Sequence, residues 1–276
     1  MAKSKSYFRR AISSSMLLIV GYFFWKFVYA NYFYEDAIYA RQKLDLAYPI
    51  LPKNAMTDQI ARGEYLIRAG NCITCHTKDK SKPFAGGVHI DTPYGYIPST
   101  NITPDTKTGI GNWVFKDFVK AMQDGISPKG KHYYPAFPYK YFAQLTSIDL
   151  LDMYAYLRTI PPVRQENETP QFPLNLGIFR WAAMPLWDLF AGDPVPFNPE
   201  LKLSPMETRG DYLVNGLGHC GMCHTTNNSI GIPKTKYFLS GAFIGGYWAP
   251  NINKQGLKAA STEDIVKVFS ENSLLN

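Results

Sequence analysis

The chain has 276 residues, of which 46% are apolar and 15% aromatic, so it is long and apolar enough for one large or two small packed domains. Its formal net charge is +7, but residues 1–30 contain five Lys and Arg residues and no acid, which leaves only +2 for the remainder. A nearly balanced body argues against binding to nucleic acid.

Residues 1–34 combine a positively charged start with an apolar stretch at residues 11–30. That stretch is long enough to cross a bilayer of ~30 Å as a helix, and its many aromatic residues are typical of a membrane interface. We therefore predict a signal anchor: one transmembrane helix in the bacterial inner membrane, with everything after it in the periplasm. A signal peptide cleaved after the small residue Ala30 is the alternative. Residues 35–57 are polar and interrupted by proline, and we interpret them as a stalk.

Two pentapeptides, residues 72–76 and 220–224, have the form C-x-x-C-H and use all four cysteines. Two thiols one helical turn apart can bond both vinyl groups of a haem while the adjacent imidazole reaches the iron. A zinc site with four cysteine ligands and a thioredoxin-like redox pair also use C-x-x-C, but neither explains a histidine after each second cysteine. The motifs predict two covalent c-type haems. The predicted attachment residues are Cys72, Cys75, His76, Cys220, Cys223 and His224, with His76 and His224 as the proximal iron ligands.

The sequence around the motifs is duplicated, which predicts two domains, residues 58–160 and 204–276. A helix from Asp58 to Ala69 leads into the first motif, and its counterpart begins at a capping box on Ser204. Further pairs of matching segments are residues 62–67 and 209–214, 84–87 and 239–242, 101–102 and 251–252, and the apolar-faced helix at 112–122 with an echo that begins at Ser261.

The first copy continues into an aromatic stretch, residues 133–139, and a closing helix capped at Thr146 or Ser147. The second copy has neither, so we expect the domain at 204–276 to be incomplete at its C-terminus. Between the copies, the connector at 161–203 is rich in proline and aromatic residues. We expect it to pack on the two haem domains, with docking of a partner subunit as the alternative.

Many ordered motifs between Arg62 and the C-terminus carry a resemblance to a known family. They include residues 62–66, 72–77, 84–87, 92–95, 99–105, 108–111 and the Tyr-Pro-Ala-Phe-Pro-Tyr stretch at 134–139. The chain resembles the membrane-bound multihaem cytochrome c subunits of periplasmic alcohol, aldehyde, gluconate or sorbitol dehydrogenase complexes.

The resemblance implies an all-α fold of tandem class I cytochrome c domains, usually three, behind the transmembrane helix. It also implies an electron-transfer subunit that performs no substrate chemistry. Such a subunit passes electrons from a membrane-bound quinoprotein or flavoprotein dehydrogenase subunit to ubiquinone or an oxidase. Only two C-x-x-C-H motifs occur in the sequence, and a truncated gene product whose second domain cannot close is a further possibility.

The chain departs from the family at the distal side of the first haem. Members of the family commonly have Met as the distal ligand where this chain has Phe137, which cannot bind iron. His132 is the leading substitute, although it could equally be a surface residue, and Met122 is a weaker candidate because it lies on an apolar helix face. An open first haem would instead favour a haem enzyme or a protein that binds gas or peroxide.

Overall fold

The computed structural model of the protein describes residues 19–22, 25, 58–192 and 202–271. The chain divides into two compact units, Met1–Ala47 and Tyr48–Asn276. In the first unit, residues 19–22 are helical. The predicted stalk at 35–57 lies outside the described residues.

The predicted transmembrane anchor at 1–34 and the single-pass inner-membrane location are contradicted. Crossing ~30 Å of hydrocarbon takes about 20 apolar residues in one helix. Within the described ranges no helix is long and apolar enough for this, and the longest of those given below have 11 residues.

The first repeat consists of short helices and one hairpin. In chain order its elements are α1 (Gln59–Ala69), α2 (Cys72–His76), β1 (His89–Thr92), β2 (Gly95–Pro98), α3 (Phe115–Asp124), α4 (Tyr139–Phe142) and α5 (Ser147–Leu157). The predicted cap of α5 is confirmed, because the Thr146 side chain accepts a hydrogen bond from the Asp149 N–H. The helix predicted at 112–122 begins three residues later than expected.

The core of the first repeat lies where α1, α3 and α5 meet. The apolar faces predicted for α3 and α5 are confirmed as buried: Phe118, Val119 and Met122, and Leu150, Met153 and Leu157. On α1, Leu66 and Ile67 are fully buried against them. The Arg62 guanidinium of α1 also donates to the buried Asp152 carboxylate of α5 at 2.7 Å. Apolar packing and one ion pair therefore hold α1 on α5.

The connector and the second repeat follow. The connector contains a π-helical turn, Phe179–Ala183, and α6 (Met184–Ala191); the second repeat contains α7 (Pro205–Tyr212), a π-helical turn at Leu213–Leu217, α8 (Gly221–His224), a 3₁₀ turn at Thr235–Tyr237, β3 (Ala242–Ile244), β4 (Tyr247–Ala249) and α9 (Thr262–Ser270). The predicted capping box on Ser204 is confirmed, with Glu207 as its partner, and a second box joins Ser261 to Asp264.

The π-helical turn after α7 accommodates one extra residue in the second repeat. Seven positions separate Tyr65 from Cys72, whereas eight separate the equivalent Tyr212 from Cys220. A single insertion into a helix is absorbed by an i→i+5 turn. Here the N–H of Gly218 donates to the Leu213 carbonyl at 2.7 Å. Both segments that precede a motif, the leaders at residues 59–69 and 205–217, thus reach their motifs despite unequal lengths.

The expectation of an all-α fold is contradicted, because each repeat contains an antiparallel hairpin. In the first, His89 pairs with Pro98 and Thr92 with Gly95. In the second, the two-residue loop Gly245-Gly246 has φ values of 56° and 84°. Two positive φ angles define the turn that matches strand twist, and glycine adopts them without strain. A Gly-Gly pair between two apolar triplets indicates a hairpin, and the expectation of helices alone did not take it into account.

The connector packs on both repeats, as predicted, over its described residues. The buried Trp187 of α6 donates from its indole nitrogen to the Ile230 carbonyl of the second repeat at 2.7 Å. On the other side, the Tyr134 hydroxyl of the first repeat donates to the Leu174 carbonyl at 2.5 Å. Three aromatic side chains of the connector are nevertheless well exposed: Phe172, Trp181 and Phe190.

The leader of the second repeat packs against α4 and the start of α5. Tyr212 is 2% exposed, and its hydroxyl donates to the Asp149 carboxylate at 2.6 Å while accepting from the Thr146 N–H at 3.2 Å. The π-helical turn that follows ends at the fully buried Leu217. The two repeats therefore share one buried interface.

Substitutions of the glycine in the Arg-Gly pair, which occurs in both leaders, test this packing. A Cβ on Gly63 would lie 2.0 Å from the Asp152 carbonyl oxygen, whereas one on Gly210 would meet nothing within 4 Å. We expect Gly63→Ala to lower the free energy of unfolding by about 3 kcal/mol, because α1 and α5 must separate. The matched control, Gly210→Ala, should raise it by up to about 1 kcal/mol through helix propensity. Urea unfolding followed by circular dichroism checks both; equal effects would contradict the close helix contact.

Candidate haem-attachment sites

Each C-x-x-C-H motif lies on a short helix whose histidine is oriented by a backbone carbonyl. Nδ1 of His76 lies 2.6 Å from the Thr100 oxygen, and Nδ1 of His224 lies 2.7 Å from the Pro250 oxygen. Because a carbonyl only accepts, Nδ1 carries the proton and Nε2 keeps its lone pair. This is the tautomer and fixed orientation with which a neutral histidine binds a metal through Nε2.

The two orienting carbonyls come from equivalent places, just after each hairpin and just before a repeated Asn-Ile pair. The Asn101 side chain accepts from the Thr103 N–H at 2.9 Å, and the Asn251 side chain accepts from the Asn253 N–H at 3.0 Å. Such i→i+2 contacts form a turn that holds the backbone locally. The sequence displays the Asn-Ile repeat, but it does not reveal that the preceding carbonyl serves the histidine.

The chain enters each motif through a residue in the left-handed region. Asn71 has φ 53° and His219 has φ 40°, and each directly precedes the first cysteine of its motif. Phe84 and Leu239 form a second equivalent pair, with φ 64° and 56°. Non-glycine residues rarely adopt these angles, so their recurrence shows that the duplication extends to strained backbone positions around the motifs.

The four cysteines are free thiols with raised pKa values. Burial, together with the neighbouring Cys75, raises the pKa of Cys72 to about 12. Partial desolvation also raises the pKa of Cys75, Cys220 and Cys223. The thiols are therefore protonated at neutral pH, whereas a thioredoxin-like pair works through a thiol of lowered pKa. In the described ranges, no group of three or more His, Cys, Asp or Glu residues is placed to hold a metal ion.

This donor set fits a covalently attached haem. Each helix presents two thiols about one turn apart beside an imidazole whose Nε2 is free to bind iron. Burial lowers the pKa of His76, so that its ring is neutral at pH 7. The six predicted attachment residues thus come together as two triplets, each within one short helix and its preceding cap.

The two motifs are close neighbours. Desolvation, and then the neighbouring Cys223 of α8, raise the pKa of Cys75 of α2. Just before the motifs, Leu217 lies so near Gly70 that a Cβ on this glycine would be 3.1 Å from the leucine Cδ1. His219 adds an edge-on contact with the Phe142 ring, at 5.4 Å between centroids. The attachment sites therefore meet within one compact unit.

The second position of the motif differs between the repeats because the surroundings differ. In the first motif it is Ile73, whose side chain is 44% exposed. In the second it is Gly221, where a Cβ would lie 2.8 Å from Phe238 and 3.0 Å from the hydroxyl oxygen of Tyr141. Tyr141 belongs to α4 of the first repeat. The first repeat therefore supplies part of the wall of the second site, which no motif in the sequence indicates.

Phe137 fills the position of the expected distal methionine with an aromatic ring. Its ring packs edge-on against Tyr133 and Phe142, with centroid distances of 5.7 Å and 5.6 Å. The ring offers no atom that binds iron. Met122, the weaker candidate, is 6% exposed and lies in the hydrophobic core.

His132, the leading candidate for the distal ligand of the first haem, lies in a polar cluster around Asp188 of α6. Its Nδ1 is 3.1 Å from the Asp188 carboxylate, which also accepts from the Tyr139 hydroxyl at 2.7 Å and lies 3.3 Å from Nζ of Lys140. Burial alone would raise the pKa of Asp188, but these three partners hold it below its usual value. The cluster leaves Nε2 of His132 as the nitrogen available to iron. Asp188 was not singled out from the sequence.

A helix face that is buried in the first repeat is exposed in the second. Val119 and Met122 of α3 are 7% and 6% exposed, whereas the equivalent Val266 and Phe269 of α9 are 56% and 85% exposed. Between residues 202 and 271 no segment of the second repeat corresponds to α4 and α5. The segment that would carry a distal ligand for the second motif is thus not among the described residues.

Comparison with known proteins assigns the first repeat to a family. Residues 60–161 match the model of the cytochrome c family. Three curated relatives extend the match: the gluconate 2-dehydrogenase cytochrome c subunit of Pantoea cypripedii (41% identical, covering 75% of this chain and 49% of the relative), the alcohol dehydrogenase (quinone) cytochrome c subunit of Gluconobacter oxydans (40%, 75% and 45%) and a diheme cytochrome c-type protein of Cereibacter sphaeroides (38%, 67% and 64%). The chain spans about half the length of the first two and about two thirds of the third.

The contact between Gly221 and Tyr141 gives a test of the second site. We expect Gly221→Ala to lower the free energy of unfolding by about 1–3 kcal/mol, because the added methyl group must displace Phe238 or Tyr141. At the equivalent position of the first motif, Ile73→Ala should change it by only about 0.5 kcal/mol, since this side chain is exposed. Denaturant titration of the purified chain measures both changes. A loss in Ile73→Ala as large as in Gly221→Ala would contradict the proposed packing difference.

Proposed function

We propose that this chain, a member of the cytochrome c family, is a dihaem electron-transfer protein that carries electrons from a dehydrogenase to an acceptor without substrate chemistry of its own. The observation that carries the proposal is the duplication of one local geometry. Each of the two C-x-x-C-H helices, which belong to one compact unit, has its histidine Nδ1 on a backbone carbonyl. The name of the diheme relative supports the count of two.

The chain's own residues bind, orient and shield the two groups. Haem c would be held by Cys72, Cys75 and His76 in the first site and by Cys220, Cys223 and His224 in the second. Haem c supplies an iron that gains and loses one electron at a time, at a potential set by its ligands, hydrogen bonds and exposure. The carbonyls of Thr100 and Pro250 keep each proximal imidazole in the required orientation.

The interface between the repeats supports transfer between the two sites. The buried hydrogen bond between Tyr212 and Asp149 and the buried Leu217 tie the second leader to the first repeat. Buried polar contacts with fixed partners hold one geometry, since breaking them would leave a carboxylate unpaired. The two motifs therefore keep a constant relation to each other, as stepwise electron transfer requires.

The names of the relatives support a dehydrogenase as the electron donor, because two of them are cytochrome c subunits of gluconate and alcohol dehydrogenases. We propose a quinoprotein or flavoprotein dehydrogenase subunit as the donor, and ubiquinone or an oxidase as the acceptor. Exposed apolar and aromatic side chains favour docking to another protein; the chain exposes such residues at Trp181, Phe243, Tyr247 and Trp248.

A second candidate function is a haem enzyme, or a gas- or peroxide-binding protein, with an open first site. The observation that favours it is Phe137, whose ring occupies the expected ligand position without a donor atom. An open coordination position is what distinguishes ligand activation from electron transfer. The ligation of His132 decides between the two.

The number of haems tests the main proposal. After expression with a c-type cytochrome maturation system, a pyridine haemochrome assay should give two covalent haems per chain. The double variants Cys72→Ser/Cys75→Ser and Cys220→Ser/Cys223→Ser should each give one, because each pair of thiols holds its own group. Reductive titration of the unchanged chain should consume two electrons. Zero haem, or haem extracted by acidic acetone, would contradict the proposal.

The distal ligand is tested at His132. Because Asp188 occupies Nδ1, ligation through Nε2 predicts that His132→Ala converts one low-spin haem to a high-spin form that binds carbon monoxide. His89→Ala is the matched control: its Nε2 also pairs with a carboxylate, Glu168, at 2.7 Å, but it lies on β1, and the spectrum should not change. An unchanged low-spin spectrum in His132→Ala would reject the ligation. Rapid binding of carbon monoxide to the unchanged chain would favour the enzyme alternative.

A further inference from the structure

Among the described residues, Tyr141 has a buried hydroxyl without a hydrogen-bond partner. The residue is 4% exposed, and its hydroxyl oxygen makes no hydrogen bond within the described part of the chain. A buried hydroxyl that gives up water without a replacement partner costs stability, so such groups call for an explanation. The nearby hydroxyl of Tyr139, two residues earlier on α4, is satisfied by Asp188.

The Tyr141 hydroxyl points at the second attachment helix. It lies 3.0 Å from where a Cβ of Gly221 would be, and the ring atom Cε1 lies 3.1 Å from the same point. Burial, and then the neighbouring Cys223 and Cys220, raise the pKa of Tyr141, so the hydroxyl keeps its proton and remains a donor. The glycine between the two cysteines makes room for this approach.

We propose that Tyr141 is a positioning residue of the second haem site, contributed by the first repeat, and that its buried O–H dipole faces the group held by Cys220 and Cys223. The inference rests on the proposed function. It goes beyond the attachment motif, because it assigns to the second site a donor from outside its own repeat. This role requires no change in ionisation and no further reactant.

The direction of the effect follows from electrostatics. A donor places the positive end of its O–H dipole towards the iron centre, which disfavours the more positive, oxidised state. Tyr141 therefore raises the reduction potential of the haem at the second motif. Because Phe keeps the ring that packs on Gly221, Tyr141→Phe removes the dipole and leaves the wall in place.

The experiment compares redox titrations of the unchanged chain, Tyr141→Phe and Tyr94→Phe, each shown first to carry two covalent haems by pyridine haemochrome. In Tyr141→Phe, one of the two one-electron components should shift to lower potential. The shift should change the ratio of oxidised to reduced haem about threefold to tenfold, as the loss of one buried polar interaction does; tenfold is about 59 mV for one electron. The other component should stay in place.

Tyr94→Phe is the matched control for loosening between the repeats. The Tyr94 hydroxyl donates to the Ser229 carbonyl of the second repeat at 2.7 Å, but it does not touch the motif, so neither component should move. Two haems with unshifted components in Tyr141→Phe, together with higher thermal stability, would show an unsatisfied hydroxyl without a role and overturn the inference. The same shift in Tyr94→Phe would overturn it too. Fewer than two haems in the unchanged chain would instead refute the proposed function.

Discussion

The hydrogen bond from each motif histidine to a backbone carbonyl is the constraint on which the rest of the site depends. It fixes the proton on Nδ1, and it requires that a carbonyl be delivered to the same place in both repeats. The hairpin, the Asn turn behind it and the left-handed residue before the first cysteine together meet that requirement. The strands in this otherwise helical fold are thus part of the site, since they position Thr100 and Pro250.

Helix α5 contacts both leaders, and each leader donates a hydrogen bond to one carboxylate of α5. Asp152 is paired with Arg62 of the first leader, and Asp149 accepts from Tyr212 of the second. The leaders nevertheless bury different faces of nearly the same sequence. Gly63 is in tight contact with α5 whereas Gly210 is open, and Tyr65 is 38% exposed whereas the equivalent Tyr212 is 2% exposed. One repeated sequence thereby makes both an internal helix contact and an interface between repeats.

Helix caps and buried helix faces, which depend on residues close together in the sequence, were predicted correctly. The cap at Thr146, the capping box on Ser204 and the buried face of α5 follow from contacts within one or two turns. The transmembrane helix and the all-α fold were wrong, the first because apolar length alone does not define a span, the second because the Gly245-Gly246 turn was overlooked. The motif residues were predicted from their spacing, whereas Asp188 and Tyr141 were not singled out, because their contacts with His132 and Gly221 join residues far apart in the sequence.

The differences between the repeats fall where the repeats touch. The π-helical turn at Leu213–Leu217 accommodates the extra residue of the second leader. Gly221, the second residue of the motif that follows, leaves room for the ring of Tyr141. A chain built from two identical copies of the first repeat could not form this contact. A branched side chain like that of Ile73 would occupy the space of the tyrosine ring, and the neighbouring motif would be pushed away. The packing between the two motifs therefore depends on residues outside the shared C-x-x-C-H pattern.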